Sequence, residues 1–202
     1  MITKNTTQAT FLDNEDRQRK VYSELVRRHG DSYKSLHWHS RQTQQVRFEA
    51  FLQIGELDGC SVLDIGCGIG DFAMYLEACG IDVDFTGYDI VPEAIKLAQR
   101  KCPAAVFEAR NILLAPPTQR FDYIVSSGIF AFGDQPFFEG IVERAVSLAQ
   151  VAYGFNLYQT SQSSFFSPTV EYVLDFCDGL GINRTEVVHG YLHDDYTFFA
   201  YR

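Results

Sequence analysis

Val62-Leu63-Asp64-Ile65-Gly66-Cys67-Gly68-Ile69-Gly70 joins a short β-rich run to a helical pattern through three alternating glycines, and the architecture of the chain can be read outward from it. Glycine adopts left-handed backbone without steric penalty and has no Cβ to hold a neighbour away. Gly66, Gly68 and Gly70 around Cys67 therefore predict a tight strand-to-helix turn that a polar small molecule can approach closely. A plain tight turn uses the same pattern, so the glycines alone are a weak signal.

From residue 61 onward, β-rich runs alternate with helical patterns, as expected for an α/β, Rossmann-like sheet with helices on both faces. Seven strands are predicted: Ser61 to Ile65, Phe85 to Asp89, Ala105 to Arg110, Phe121 to Ser126, Val151 to Leu157, Thr185 to His189 and Tyr196 to Tyr201. Apolar residues at three- and four-residue spacing predict helices over Asp71 to Cys79, Pro92 to Lys101, Phe137 to Gln150 and Pro168 to Leu180. Only a short polar turn, His193-Asp194-Asp195, separates the last two strands. Such a link permits a hairpin but no parallel crossover, so the sheet is mixed with an antiparallel C-terminal strand. Residues 1–58 are expected to form an N-terminal helical lid, with helices near Glu15 to His29 and Arg41 to Ile54 and an apolar face of Val46, Phe48, Phe51, Leu52 and Ile54. Residues 59–202 form the core, and the whole is one compact unit.

The chain has 202 residues and a formal net charge of -9. An acidic chain offers no broad field for phosphate backbones, which argues against general nucleic-acid binding. Five scattered cysteines without CxxC spacing point to free thiols in a reducing cytoplasm. The start of the chain lacks the apolar core of a signal peptide, and no apolar run approaches the roughly 20 residues that cross a bilayer. The oligomeric state is not legible.

Four segments carry candidate chemistry. Asp64, just before the glycine turn, would repel a pyrophosphate but suits an ammonium group. Asp89 ends the second strand about 20 residues beyond the turn, where an acid accepts hydrogen bonds from ribose hydroxyls, and Ile90 beside it offers an apolar wall for a base. Asn111 and Ile112 end the third strand and can read an adenine edge. Ser126 and Ser127 end the fourth strand, outside the carboxyl edge where ligands collect, and can offer backbone carbonyls to an ammonium. Phe130 and Phe132 follow as pocket or core aromatics.

In this order and spacing, the segments resemble the class I S-adenosylmethionine-dependent methyltransferase superfamily over residues 61–202. The stretch Ser35 to Phe48, with Ser126 to Phe130 and Tyr191 to Thr197, is similar to a group of bacterial small-molecule methyltransferases of mostly unassigned substrate. The resemblance implies S-adenosylmethionine as cofactor, held by Asp64, Gly66, Cys67, Gly68, Gly70, Asp89, Ile90, Asn111, Ile112, Ser126 and Ser127. The expected activity is methyl transfer to an oxygen or nitrogen of a small molecule. A non-catalytic cofactor-binding partner subunit and an NAD-dependent dehydrogenase are the alternatives; Asp64 and the C-terminal hairpin oppose the second.

Two departures from the family pattern stand out: His37 and His39 flank Trp38 where small residues are usual, and Asn111 replaces an acid. An acceptor that is protonated at neutral pH needs a base, for which His37 and His39 are the candidates, with His189 and His193 as further histidines. Trp38, Arg41, Phe130, Asn156 and Tyr158 are the candidate substrate and lid residues. No metal site is expected, because His37 and His39 lack further ligands.

Overall fold

The structure, a computed structural model, describes residues 4–159 and 165–202; residues 1–3 of the expected lid lie outside the described residues. A seven-stranded sheet runs in the order β3-β2-β1-β4-β5-β7-β6. Its strands are β1 (Ser61–Ile65), β2 (Asp84–Asp89), β3 (Val106–Ala109), β4 (Phe121–Ser126), β5 (Ala149–Tyr158), β6 (Arg184–His189) and β7 (Asp195–Tyr201). The first five are mutually parallel, and β7 is antiparallel to both of its neighbours. The mixed sheet expected from the sequence is thus present.

Among the described residues six α-helices cover it: α1 (Lys4–His29), α2 (Arg41–Phe51), α3 (Asp71–Ala78), α4 (Pro92–Lys101), α5 (Gln135–Leu148) and α6 (Val170–Asp178). Their starts have local causes. Ser40 and Thr43 form a reciprocal capping box at α2, Asp134 accepts the Phe137 N–H at α5 and Thr169 the Tyr172 N–H at α6. Pro92 opens α4, where its missing N–H costs no hydrogen bond.

Strands covered on both faces read as continuous apolar runs, and the core divides accordingly. Leu63, Ile65, Phe138, Ile141, Phe155 and Phe198 pack on one side, with α5 and α6. Val62, Phe51, Phe72, Phe85, Val125 and Phe199 pack on the other, with α2 and α3. Val26 of α1 joins Ile69, Val91 and Ala94 in a smaller cluster above the glycine turn. Farther along α1, Arg17 Nη2 donates to the Phe132 carbonyl at 2.9 Å, so this helix spans from α4 to the loop after β4.

Three expectations need correction. The α2 helix ends at Phe51 and continues as a 3-10 turn, Leu52–Ile54. Its buried residues include Gln44, Arg47, Phe48 and Phe51, at i, i+3, i+4 and i+7, whereas Val46 is only half-buried. The hairpin link comprises residues 190–194, because Asp195 already pairs with Tyr158 as the first residue of β7.

Candidate active site

A cavity of about 540 Å³ opens at the carboxyl ends of β1, β2 and β4, the crevice where open α/β sheets hold ligands. The strands contribute Asp64, Asp89 and Tyr158 to its walls and the loops after β1, β3 and β4 contribute Cys67, Ile112 and Ser127; Tyr22 of α1 and His37, Trp38 and His39 line it from the N-terminal side.

The two carboxylates expected from the sequence meet in this cavity. Asp64 is 4 % exposed and its Oδ1 has no hydrogen-bond partner. Burial, and then the negative charge of Asp89, push its pKa up to about 8. Asp89 differs in being backbone-bonded: Oδ2 accepts the Gly68 N–H and Oδ1 the Val91 N–H, both at 2.8 Å. Burial raises its pKa, and these N–H groups work against the rise. One acid is therefore clamped in place, while the other is left without a counter-group.

Gly66, Gly68 and Gly70 have φ of +81°, +53° and +79°. A Cβ on Gly66 would lie 2.2 Å from Ile129 Cγ2, and one on Gly68 2.5 Å from Leu36 Cδ2. The space freed by these two glycines is filled by protein side chains, one of them from the N-terminal segment. Gly66 and Cys67 line the cavity, and Gly68 reaches it through Asp89. Burial holds the Cys67 thiol well above its usual pKa.

Asn111 lies on the wall, but its carbonyl oxygen accepts the Leu113 N–H at 2.9 Å and its Nδ2 donates to Glu15 Oε2 at 2.6 Å. The carbonyl expected to meet an adenine amino group instead serves the local turn, a habit of asparagine in loops. Ile90 and Ile112 line the same end. Ser127 lines the cavity with a buried Oγ that has no partner. The Ser126 hydroxyl turns away to Tyr153, 2.9 Å distant.

The opposite end departs further from expectation. Phe130 is 1 % exposed and packs against Phe137, Phe138 and Phe155, so it belongs to the core; Phe132 lines the cavity. Arg41, the first residue of α2, is exposed and away from the cavity. Asn156 is buried, and its Oδ1 accepts the Gly128 N–H at 2.8 Å, which fixes the turn facing the indole of Trp38. His37, Trp38, His39 and Tyr158 do line the cavity. The φ of His37 is +59°, the only positive value at a non-glycine among the described residues, and its ring sits 5.6 Å from that of Phe132. His189 faces Tyr196 and His193 hydrogen-bonds Asp194, both outside the cavity lining.

Sequence reasoning missed Arg47. Its Nε donates to Asp195 Oδ2 in a buried ion pair, and its guanidinium lies 4.6 Å from the Trp38 ring and 5.1 Å from the Tyr158 ring. Burial raises the Asp195 pKa to about 6, while Arg47 pulls it down. The available signal was a cation on the i, i+3, i+4, i+7 face of an amphipathic helix.

Comparison with known proteins agrees with this geometry. A family model described as a methyltransferase domain matches residues 56–159. A provisionally named methyltransferase of Mycobacterium tuberculosis is 38% identical over 81 residues, 38% of this chain and 46% of that protein, so the match spans about half of the relative's length. Among solved structures, magnesium protoporphyrin IX methyltransferase from Synechocystis PCC 6803 with bound S-adenosylmethionine superposes with a TM-score of 0.71 at 16% identity, over 94% of this chain and 97% of that one. The N-methyltransferase NodS from Bradyrhizobium japonicum WM9, in complex with S-adenosylhomocysteine, gives a TM-score of 0.69 at 17% identity, over 90% and 97%. With the family model covering half of its length and the sheet order and strand directions described above, this chain belongs to the methyltransferase-domain family and has the class I fold of S-adenosylmethionine-dependent methyltransferases.

Proposed function

We propose that the protein transfers a methyl group from S-adenosylmethionine to an oxygen or nitrogen of a small molecule. The observation that carries this reading is the buried, unpartnered Asp64 Oδ1 in a cavity that also holds the clamped carboxylate of Asp89. A buried carboxylate without a partner is costly, and an ammonium group would relieve that cost. The α-ammonium of S-adenosylmethionine supplies such a group, so the residues present fit this cofactor. Asp89 retains lone pairs for ribose hydroxyls. Ile90 and Ile112 form apolar walls for the base, and the Ser127 region flanks the amino-acid end.

When bound, S-adenosylmethionine supplies an activated methyl group on sulfur. The protein's task is then to hold the acceptor in line and exclude water. The N-terminal segment acts as a lid: Leu36 reaches over Gly68, Trp38 over Gly128, and Tyr22 lines the cavity beside them. His37 and His39 are the proposed bases for an acceptor that must lose a proton, with Tyr158 as a hydrogen-bonding group. A net charge of -9 favours a small-molecule acceptor over nucleic acid. The five cysteines are free thiols, which fits a cytoplasmic setting, and among the described residues no helix is long and apolar enough to cross a membrane.

Isothermal titration with S-adenosylmethionine and S-adenosylhomocysteine tests the cofactor. Absence of binding up to low-millimolar ligand refutes it. Radiolabelled S-adenosylmethionine with pooled small-molecule acceptors tests the transfer, and binding without labelling of any pool identifies a cofactor-binding partner subunit instead.

A further inference from the structure

The aromatic end of the cavity contains a charged group that methyl transfer itself does not require. Arg47 and Arg110 are the only arginine or lysine side chains among the described residues of its lining. Arg110 is already paired with Glu108, against the Tyr88 ring. Arg47 is different: its planar head lies against both Trp38 and Tyr158, and Asp195 holds it through Nε. A guanidinium has five N–H donors in a rigid fork; Asp195 takes the one at Nε and the Tyr158 hydroxyl accepts another, so donors remain for a second acceptor. Taking both charges of an ion pair out of water is costly, and packed apolar side chains would support the fold equally well. Beside it runs a wall of rings: Tyr158 is stacked 5.3 Å from Phe165, Phe165 meets Phe132 at 5.3 Å, and Phe132 meets Tyr22 at 6.2 Å.

We infer that this end of the cavity receives a planar, aromatic acceptor carrying a carboxylate, with Arg47 as the group that recognises the anion and the ring wall as the surface that stacks on its body. The inference rests on the cofactor reading above, which assigns the Asp64 and Asp89 end to S-adenosylmethionine. Asp195 acts as a positioning residue: by holding Nε, it orients the terminal N–H groups. Trp38 and Tyr158 fix the plane of the guanidinium and thereby the plane in which a carboxylate is bound bidentately.

Trp38 is the single tryptophan of the chain, so intrinsic fluorescence reports on this site directly. The test uses the full chain saturated with S-adenosylhomocysteine, whose binding is first established by calorimetry. Hydroxybenzoates and aminobenzoates, their neutral carboxamides and phenyl phosphate are then titrated while Trp38 emission is followed. The expected result is saturable binding of at least one aromatic carboxylate, about tenfold or more tighter than its carboxamide and tighter than phenyl phosphate. Arg47→Lys keeps the charge but loses the fork, and is expected to reduce the carboxylate preference about tenfold. Removing Arg47 alone strands Asp195, so the paired variant Arg47→Met/Asp195→Leu serves as the second arm: it is expected to fold, to bind S-adenosylhomocysteine and to show no preference between acid and amide. Equal binding of acid and amide by the wild type, a preference for phenyl phosphate, or a preference surviving in the paired variant overturns the inference. Failure to bind S-adenosylhomocysteine at all refutes the cofactor reading instead.

Discussion

Replacing Asp64 with asparagine tests the cofactor assignment most directly, because the carboxylate is buried, lacks a partner and has its pKa raised to about 8. With that value, about 1 site in 100 is ionised at pH 6 and about 1 in 10 at pH 7. An α-ammonium with a pKa of about 8 remains charged over the same interval. If the carboxylate is the form that binds, affinity for S-adenosylmethionine should rise about ninefold from pH 6 to pH 7, about 1.3 kcal/mol. Binding at pH 7 should release close to one proton. Calorimetry in two buffers of different ionisation enthalpy measures both quantities. The Asp64→Asn variant retains Asp89, His37, His39 and the rest of the cavity lining, so the difference between the two proteins isolates Asp64. It should bind more weakly with this pH slope abolished. A wild-type affinity that is flat between pH 6 and pH 7, or an identical slope in the variant, would refute the reasoning.

The same substitution should stabilise the ligand-free protein: a folded-state pKa raised from 3.8 to about 8 means that stability is greatest below the lower value and is lost as pH rises towards the upper one. A gain in urea denaturation at pH 8, with a linkage ceiling of about 5–6 kcal/mol and shrinking toward pH 4, is expected. Gly66→Ala should cost about 2 kcal/mol or more, since φ is +81° and the new Cβ would lie 2.2 Å from Ile129 Cγ2; chemical denaturation measures it. Asp195→Ala leaves the buried Arg47 charge without its partner and should lower stability by about 3–5 kcal/mol, whereas the paired Arg47→Met/Asp195→Leu change should fall well short of that. Asn156→Ala removes the acceptor for the Gly128 N–H and should shift Trp38 emission in the ligand-free protein while costing about 1–3 kcal/mol.

The order of strands and helices along the chain, the glycine turn and the antiparallel hairpin were all legible in the sequence. They depend on periodicity, on backbone conformations only glycine adopts easily, and on link lengths, all of which act over a few neighbouring residues. Asp64 and Asp89 were legible for the same reason, since each sits at a fixed offset from a strand end. Helix and strand ends were less so: Asp195 was read as part of a turn, although its ladder pairing with Tyr158, distant in the chain, makes it the first residue of β7.

Only the tertiary structure could bring Arg47 to Asp195, 148 residues away in the chain, and set both beside Trp38 and Tyr158. It also revealed that Phe130 faces the core while Phe132 faces the cavity, and that Leu36 and Ile129 fill the space spared by Gly68 and Gly66. A parallel sheet brings the ends of distant strands to one edge, and helix packing decides which neighbour of an aromatic pair is turned inward. Local pattern therefore determined which carboxylates flank the glycine turn, and long-range packing decided what stands opposite them.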